Sequence, residues 1–469
     1  MENPDAVVER LPTTSAPIEF HPDVTCTLEG KPRMSSRTSR TRRGAAGLTA
    51  ALALTLGACS GGSDAGGGGD AAPGEVSGDI TLLTPIYEGT EGQRLLEDEL
   101  LPQFYEQYPD VTVTVDYTTY GQLNEKLTTA VASGLIPDVM MMGVGWIEGF
   151  ADRGILANLS EDAGYTQADL EADYAPQIVE AGMWEDSVYA LPIMLDTRVG
   201  VARMDLLAEA GYDHTPTSWE ELREMAIALT ERDAAGTLQR TGFDIMSTDL
   251  RQGFETMFFS SGGSLFNEDF TEPTFNSPEG VETLQFLVDL VNTDGVEDIG
   301  FSSTDAEVNP LLNGRAAMGI THNSLWTQAE EAAPDVMEHL QPFTIPGEVP
   351  GMFFGGTMAS VAAGSDHPQA AQALTEFLAS PDAALAANEQ RGNVPALTEL
   401  LDSDYVQGNV MVQFAMENLD VAQREGGPPA WLEIRGDITP AIEAALLQQQ
   451  TPQEALDALA AGAQAAIDR

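Results

Sequence analysis

Few groups in this chain are arranged to titrate, attack or ligate in concert. The five histidines, His21, His214, His322, His339 and His367, are scattered, without the close pairing of a helical zinc site. No Gly-x-Ser-x-Gly elbow and no phosphate-binding loop occurs. Gly364-Ser365-Asp366-His367 holds serine-hydrolase residue types, but neighbours in one loop do not converge as a triad, and the stretch reads as a turn before a helix. Among 74 acidic residues, the availability of a carboxylate pair for glycoside cleavage selects nothing. What stands out is rings beside polar groups, Tyr87, Glu88, Tyr120 and Trp146, a mixture suited to holding a ligand.

The elements around those residues set their positions. Asp79 to Thr84 reads as a strand, with Tyr87 and Glu88 in the loop leaving its carboxyl end. A helix with Leu95, Leu96, Leu100, Phe104 and Tyr108 follows, then an alternating strand, Val111 to Tyr117. Leu123, Leu127 and Val131 mark a second helix, and Asp138 to Met142 a short apolar strand running into Gly143-Val144-Gly145-Trp146. This β-α-β-α-β order predicts a parallel sheet, and ligands of such sheets sit beyond the carboxyl strand ends. Further on, Met183 to Leu191 reads as a hairpin around Glu185-Asp186-Ser187, and Pro192 to Val199 as a strand leaving the first lobe. Thr217-Ser218-Trp219-Glu220 reads as a capping box with Thr217 as the cap, opening a helix to about Thr230. A second α/β lobe is expected there.

At the other end of the chain, four arginines (Arg37, Arg40, Arg42, Arg43) precede an apolar run from Ala45 to Leu56. The run is too short for a spanning helix, and the order is that of an export signal. Leu56-Gly57-Ala58-Cys59 resembles the lipobox of bacterial lipoproteins, which implies cleavage before Cys59 and a lipid on its sulfur. Ser60 to Gly78 is then a Gly-rich tether with an r.m.s. span of about 25 Å. Met34 begins a more usual signal than Met1. Seven of the 21 basic and 6 of the 74 acidic residues precede Cys59, leaving 14 and 68, a net charge of −54. Such a surface repels phosphate backbones and excludes nucleic acid as a partner. With Cys26 and Cys59 as the two cysteines, no disulfide holds the exported body.

Several segments together resemble the extracellular solute-binding proteins of bacterial ABC sugar importers, the maltose-binding type. Gly134-Leu135-Ile136-Pro137-Asp138-Val139 and Phe150 to Leu156 resemble the first lobe, and Met204 to Gly211 with Thr217 to Leu222 the region after its first crossover. Gly262-Gly263, Phe275 to Glu279 and Asn313 to Met318 match the middle, His367-Pro368 and Gly392-Asn393-Val394-Pro395 the later part. The resemblance implies an α/β fold of two lobes joined by strand crossovers near Asp196 and Gly356, with a central cleft. Residues 79–195 and 356–400 would form the N-terminal lobe, and 196–355 and 401–469 the C-terminal lobe, behind a leader (1–58) and tether (59–78).

It further implies a lipid-anchored monomer at the outer face of the cytoplasmic membrane, passing a di- or oligosaccharide to membrane permease subunits, with no catalytic residue, cofactor or metal. A non-sugar solute, or a secreted glycosidase, is the alternative. Carried over residue by residue, the sugar contacts are Tyr87, Glu88, Tyr120 and Trp146 from the first lobe, and Gln252 (beside Arg251), Asn323 and Trp326 from the second. Asp196 sits at the crossover, Gly356 where backbone could approach a ligand, Arg391 before Gly392, and Trp431 after Gly427-Pro428-Pro429-Ala430. The sequence departs from the maltose-binding pattern before the Gly154 turn, where Gly145-Trp146 replaces an expected acidic residue.

Overall fold

The computed structural model describes residues 76–303 and 308–469. Cys59, the export signal and the tether up to residue 75 lie outside the described residues. Three parallel strands, Ser77–Thr84, Asp110–Tyr117 and Val139–Gly143, form one side of a nine-stranded sheet. Val139–Gly143 is buried throughout because both its faces are covered, which is why it reads as an unbroken Val-Met-Met-Met run. At the sheet edge, Asp110–Tyr117 alternates between more and less exposed side chains.

Two long strands carry the chain across the molecule. Leu191–Arg203 and Met352–Val361 run antiparallel, with Asp196 opposite Gly355 and Leu195 opposite Gly356. Met352–Val361 pairs on its other side with Val139–Gly143, so it closes the parallel sheet. Beyond Asp196 the first strand takes new partners: Arg198 to Ala202 pair with Met318–His322, and Gly200 to Arg203 with Leu340–Phe343. Ala422–Arg424 adds in parallel to Met352, Phe353 and Phe354.

Two hydrophobic cores form around this sheet. One gathers Leu82, Leu123, Leu127, the methionines Met140 to Met142, Phe150 and Leu195. The other gathers Met225, Phe254, Phe258, Leu287, Phe353, Trp431 and Ile438. The segment from 404 to 422, expected with the second lobe, packs Val406, Met411, Val412 and Ala415 into the first core. Its apolar spacing resembles that of any amphipathic helix, so nothing local states which core it joins.

Most predicted elements occur, with shifted ends. The hairpin pairs Met183–Trp184 with Ser187–Val188, and Glu185 and Asp186 take the positive φ of its turn. The cap is displaced by one residue, and the returning carboxylate bonds the residue before the cap, so no reciprocal box closes. Ser218 caps the helix Trp219–Leu229 by accepting from Glu221 N at 3.1 Å, while the Glu221 carboxylate accepts from Thr217 N at 2.8 Å. Thr and Ser are both good caps, so adjacent copies leave the start open by one position. Among the described residues no helix is long and apolar enough to cross a membrane.

Candidate functional site

A cavity of about 470 Å³ opens between the two cores. From the first side come Tyr120 and Asn124, one turn apart on the helix Tyr120–Ser133, and Trp146, which follows Val139–Gly143 after a turn. From the second come Asp249, the cap of the helix Leu250–Ser260, and Gln252 in its first turn. The helix Trp431–Leu446 adds Leu432, Arg435 and Gly436, while its opposite stripe, Trp431, Ile434, Ile438 and Ile442, is sunk in the second core. The crossing strands supply the floor with Asp196, Arg198 and Gly356, and Glu425 projects just beyond Ala422–Arg424.

Gly356 has φ +147°, and a Cβ there would lie 2.3 Å from the Met194 carbonyl oxygen, so backbone forms this part of the wall. The Tyr120 hydroxyl is hydrogen-bonded to the Thr357 hydroxyl, and burial pushes its pKa up. Two neighbouring cavities share walls with this one, about 250 Å³ through Arg198, Asp249 and Gln252, and about 400 Å³ through Asn124 and Leu432.

Charge on the wall is paired. Burial works against ionisation of Asp196, but the Arg198 guanidinium and His322, each 3.5 Å away, hold its carboxyl well below the usual range. The His322 pKa is pushed down as well, first by burial and then by Arg198, which favours its neutral form. Its Nδ1 accepts from Ser324 N at 2.9 Å, so a neutral ring carries its proton on Nε2, toward Asp196.

Three buried polar atoms of the lining residues have no hydrogen-bond partner; Glu425 Oε2 is held by ion pairs with Arg251 and Arg435, and the other two, on Gln252 and Trp146, by nothing. Gln252 is 8% exposed and its Oε1 accepts no hydrogen bond; Trp146 is 4% exposed and its Nε1–H donates none. The unmet acceptor and the unmet donor have almost no accessible surface themselves but belong to residues lining one cavity, where a ligand with hydroxyl groups that reached them would satisfy both. The Arg435 guanidinium lies 5.7 Å from the centre of the Trp146 ring. It sits over a ring face, with the indole N–H side packed toward Gly143.

Of the eleven residues expected at the site, the structure brings Tyr120, Trp146, Asp196, Gln252 and Gly356 into this wall. The other six are elsewhere. Tyr87 is fully buried in the first core with an unpartnered hydroxyl. Glu88 and Arg391 stand 3.9 Å apart, and Arg391 donates to the Ile86 carbonyl at 3.0 Å, tying the loop after the first strand to the helix Pro381–Arg391. Asn323 is fully buried and spent on backbone, accepting from Thr197 N at 2.8 Å and donating to the Gly392 carbonyl at 2.5 Å. Trp326 is half-buried against the first core, and Trp431 packs edge-on to Phe266 with centroids 5.9 Å apart. Arg198, Asp249, Asn124, Glu425 and Arg435 were missed. Arg198 follows Asp196 by two in a strand, and Asn124 follows Tyr120 by four in a helix, so periodicity could have found both. Glu425 and Arg435 carry no such local cue.

The model of the family described as bacterial extracellular solute-binding protein matches residues 89–385. The chain belongs to that family. A putative binding protein of Brucella abortus is 23% identical over 398 residues, 84% of this chain and 94% of that protein. The diacetylchitobiose binding protein DasA of Streptomyces coelicolor is 24% identical over 408 residues, 83% and 90% of the two chains. Among solved structures, the GacH receptor of Streptomyces glaucescens, studied unliganded and with acarbose, superposes with a TM-score of 0.70 at 24% identity, covering 84% of this chain and 99% of that one. The fold of this solute-binding protein is thus the two-lobe α/β periplasmic-binding-protein type.

Proposed function

We propose that this solute-binding protein captures a di- or oligosaccharide in the cavity between its lobes and releases it, chemically unchanged, to the permease of an ABC importer. The observation that carries the reading is the pair of buried, unpartnered atoms on residues from the two sides of the cavity, Gln252 Oε1 and Trp146 Nε1, beside the Tyr120 ring and paired carboxylates. A sugar hydroxyl both donates and accepts, so one ring bridges the two sides of the cavity. Similarity to a diacetylchitobiose binding protein and to an acarbose-binding receptor supports the same chemistry. Capture closes the lobes, because contacts from both sides stabilise the bound form. Cleavage before Cys59 and lipidation of its sulfur would hold the body at the outer face of the membrane.

Thermal-shift and calorimetric titration with diacetylchitobiose, maltotriose, a polyamine and metal salts tests the proposal. A ligand that binds only the native state raises the melting temperature. An upward shift with a sugar, and a sugar recovered intact, is expected. A shift with the polyamine or a metal alone overturns the carbohydrate reading, and turnover of the sugar overturns the binding-only role.

A further inference from the structure

Behind the cavity wall one cation touches three carboxylates that reach it from separate parts of the chain. Arg251, 2% exposed, donates from Nη1 to both oxygens of Glu255 at 3.0 and 2.7 Å. The same nitrogen is 2.8 Å from Glu425 Oε2, and Nη2 is 3.7 Å from Asp249 Oδ2. Asp249 and Glu425 line the cavity; Glu255 is fully buried and does not. Glu425 is also 3.5 Å from Arg435, whose guanidinium covers the Trp146 ring. A chain of charge therefore runs from inside the second core, through two wall residues, to an indole on the first side.

We propose that Arg251 is a positioning residue for the ligand cavity: it orients the wall carboxylates Asp249 and Glu425 and, through Glu425 and Arg435, fixes the Trp146 ring. Asp249 caps a helix, whereas Glu425 extends from a strand paired to Met352–Phe354, and like charges from two elements have no reason to stay close without a shared cation. Nη1 makes the close contacts to Glu255 and Glu425, while Nη2 makes no hydrogen bond and meets Asp249 only as an ion pair, so the fixed plane of the guanidinium sets the two wall carboxylates on different nitrogens. Carboxylates held this way accept from neighbouring hydroxyls, so the inference rests on the carbohydrate reading of the cavity.

The test is a double-mutant cycle of Arg251→Met and Glu425→Gln, read by calorimetry with whichever of diacetylchitobiose and maltotriose the wild type binds. If Arg251 acts through Glu425, each single variant weakens binding by about tenfold, and the double is within about twofold of the weaker single. Losses that multiply, or unchanged affinity in Arg251→Met, overturn the proposal. Should Arg251→Met not fold, Arg251→Lys replaces it in the same cycle. A second arm needs no sugar: the tryptophan emission change caused by either variant should be lost in a Trp146→Phe background and be no larger in the double. If neither sugar binds, the carbohydrate reading fails while this arm still decides the positioning role, and an emission change that persists without Trp146 sinks it.

Discussion

Beside the paired strands Leu191–Arg203 and Met352–Val361, the buried Asn323 amide is answered at both ends by backbone; on the cavity wall the Gln252 amide oxygen is not. Asn323 bridges Thr197 N and the Gly392 carbonyl, whereas Asn388 donates to the carbonyls of Ile193 and Ala384 but leaves its Oδ1 unmet, as is Ser360 Oγ in Met352–Val361. On the wall, Gln252 Oε1 and Trp146 Nε1 stay unmet. An unmet atom alone is a weak guide, since Trp431 Nε1 is also unpartnered inside a packed core. Together with open space, it separates groups that hold the fold from groups left for a ligand.

Substitutions should fall on one side or the other of this contrast. The largest effect is expected at the crossing itself: Gly356→Ala places a methyl 2.3 Å from the Met194 oxygen at φ +147°. A loss of about 3 kcal/mol or more should appear in chemical denaturation. Asn323→Ala strands a buried N–H and a buried carbonyl and should cost about 2–3 kcal/mol, while sugar affinity in the variant that still folds stays within about twofold. A large loss of affinity without loss of stability would erase the distinction between the regions.

Glu255 sharpens the comparison through pH. Burial raises its pKa to about 7, with Arg251 pulling it down and Glu425 pushing it up. Below about 7 the native state keeps a proton that the unfolded chain has lost above about 4.5. Stability therefore falls as pH rises across that window and levels off above it. Glu255→Gln should remove a slope worth on the order of 2 kcal/mol, seen as melting temperatures against pH relative to wild type.

Gln252→Leu tests the wall directly. It deletes an acceptor with no protein partner, so ligand-free stability should hold while affinity falls about tenfold. Lost stability with unchanged affinity would assign Gln252 to the fold. The smallest effect is expected for Trp326→Phe, which lies off the cavity wall and should change binding by less than about 0.5 kcal/mol in calorimetry.

Much of the architecture was legible in the chain because it is written in local periodicity. Alternation marked Val111 to Tyr117, an unbroken apolar run marked the buried strand at Met140, and the chain order of weak motifs pointed to the family. Side chains placed by a strand end or a turn, such as Trp146, and those on the crossover, such as Asp196, came out at the cavity for the same reason. Asn323 and Trp326 follow the strand Met318–His322 yet do not reach the cavity wall, because a residue's type does not say whether backbone or open space will face it.

By itself the sequence determined an exported, strongly acidic α/β chain, since charge, apolar spacing and the Arg-rich start are properties of short windows. Only the tertiary structure decided which polar groups are spent. Trp146, Arg251 and the stretch holding Glu425 and Arg435 are far apart in the chain and meet because the helices Leu250–Ser260 and Trp431–Leu446 converge on the ends of two strands paired with Met352–Val361, and a hydrogen bond or ion pair depends on distances of a few ångströms that no spacing along the chain encodes.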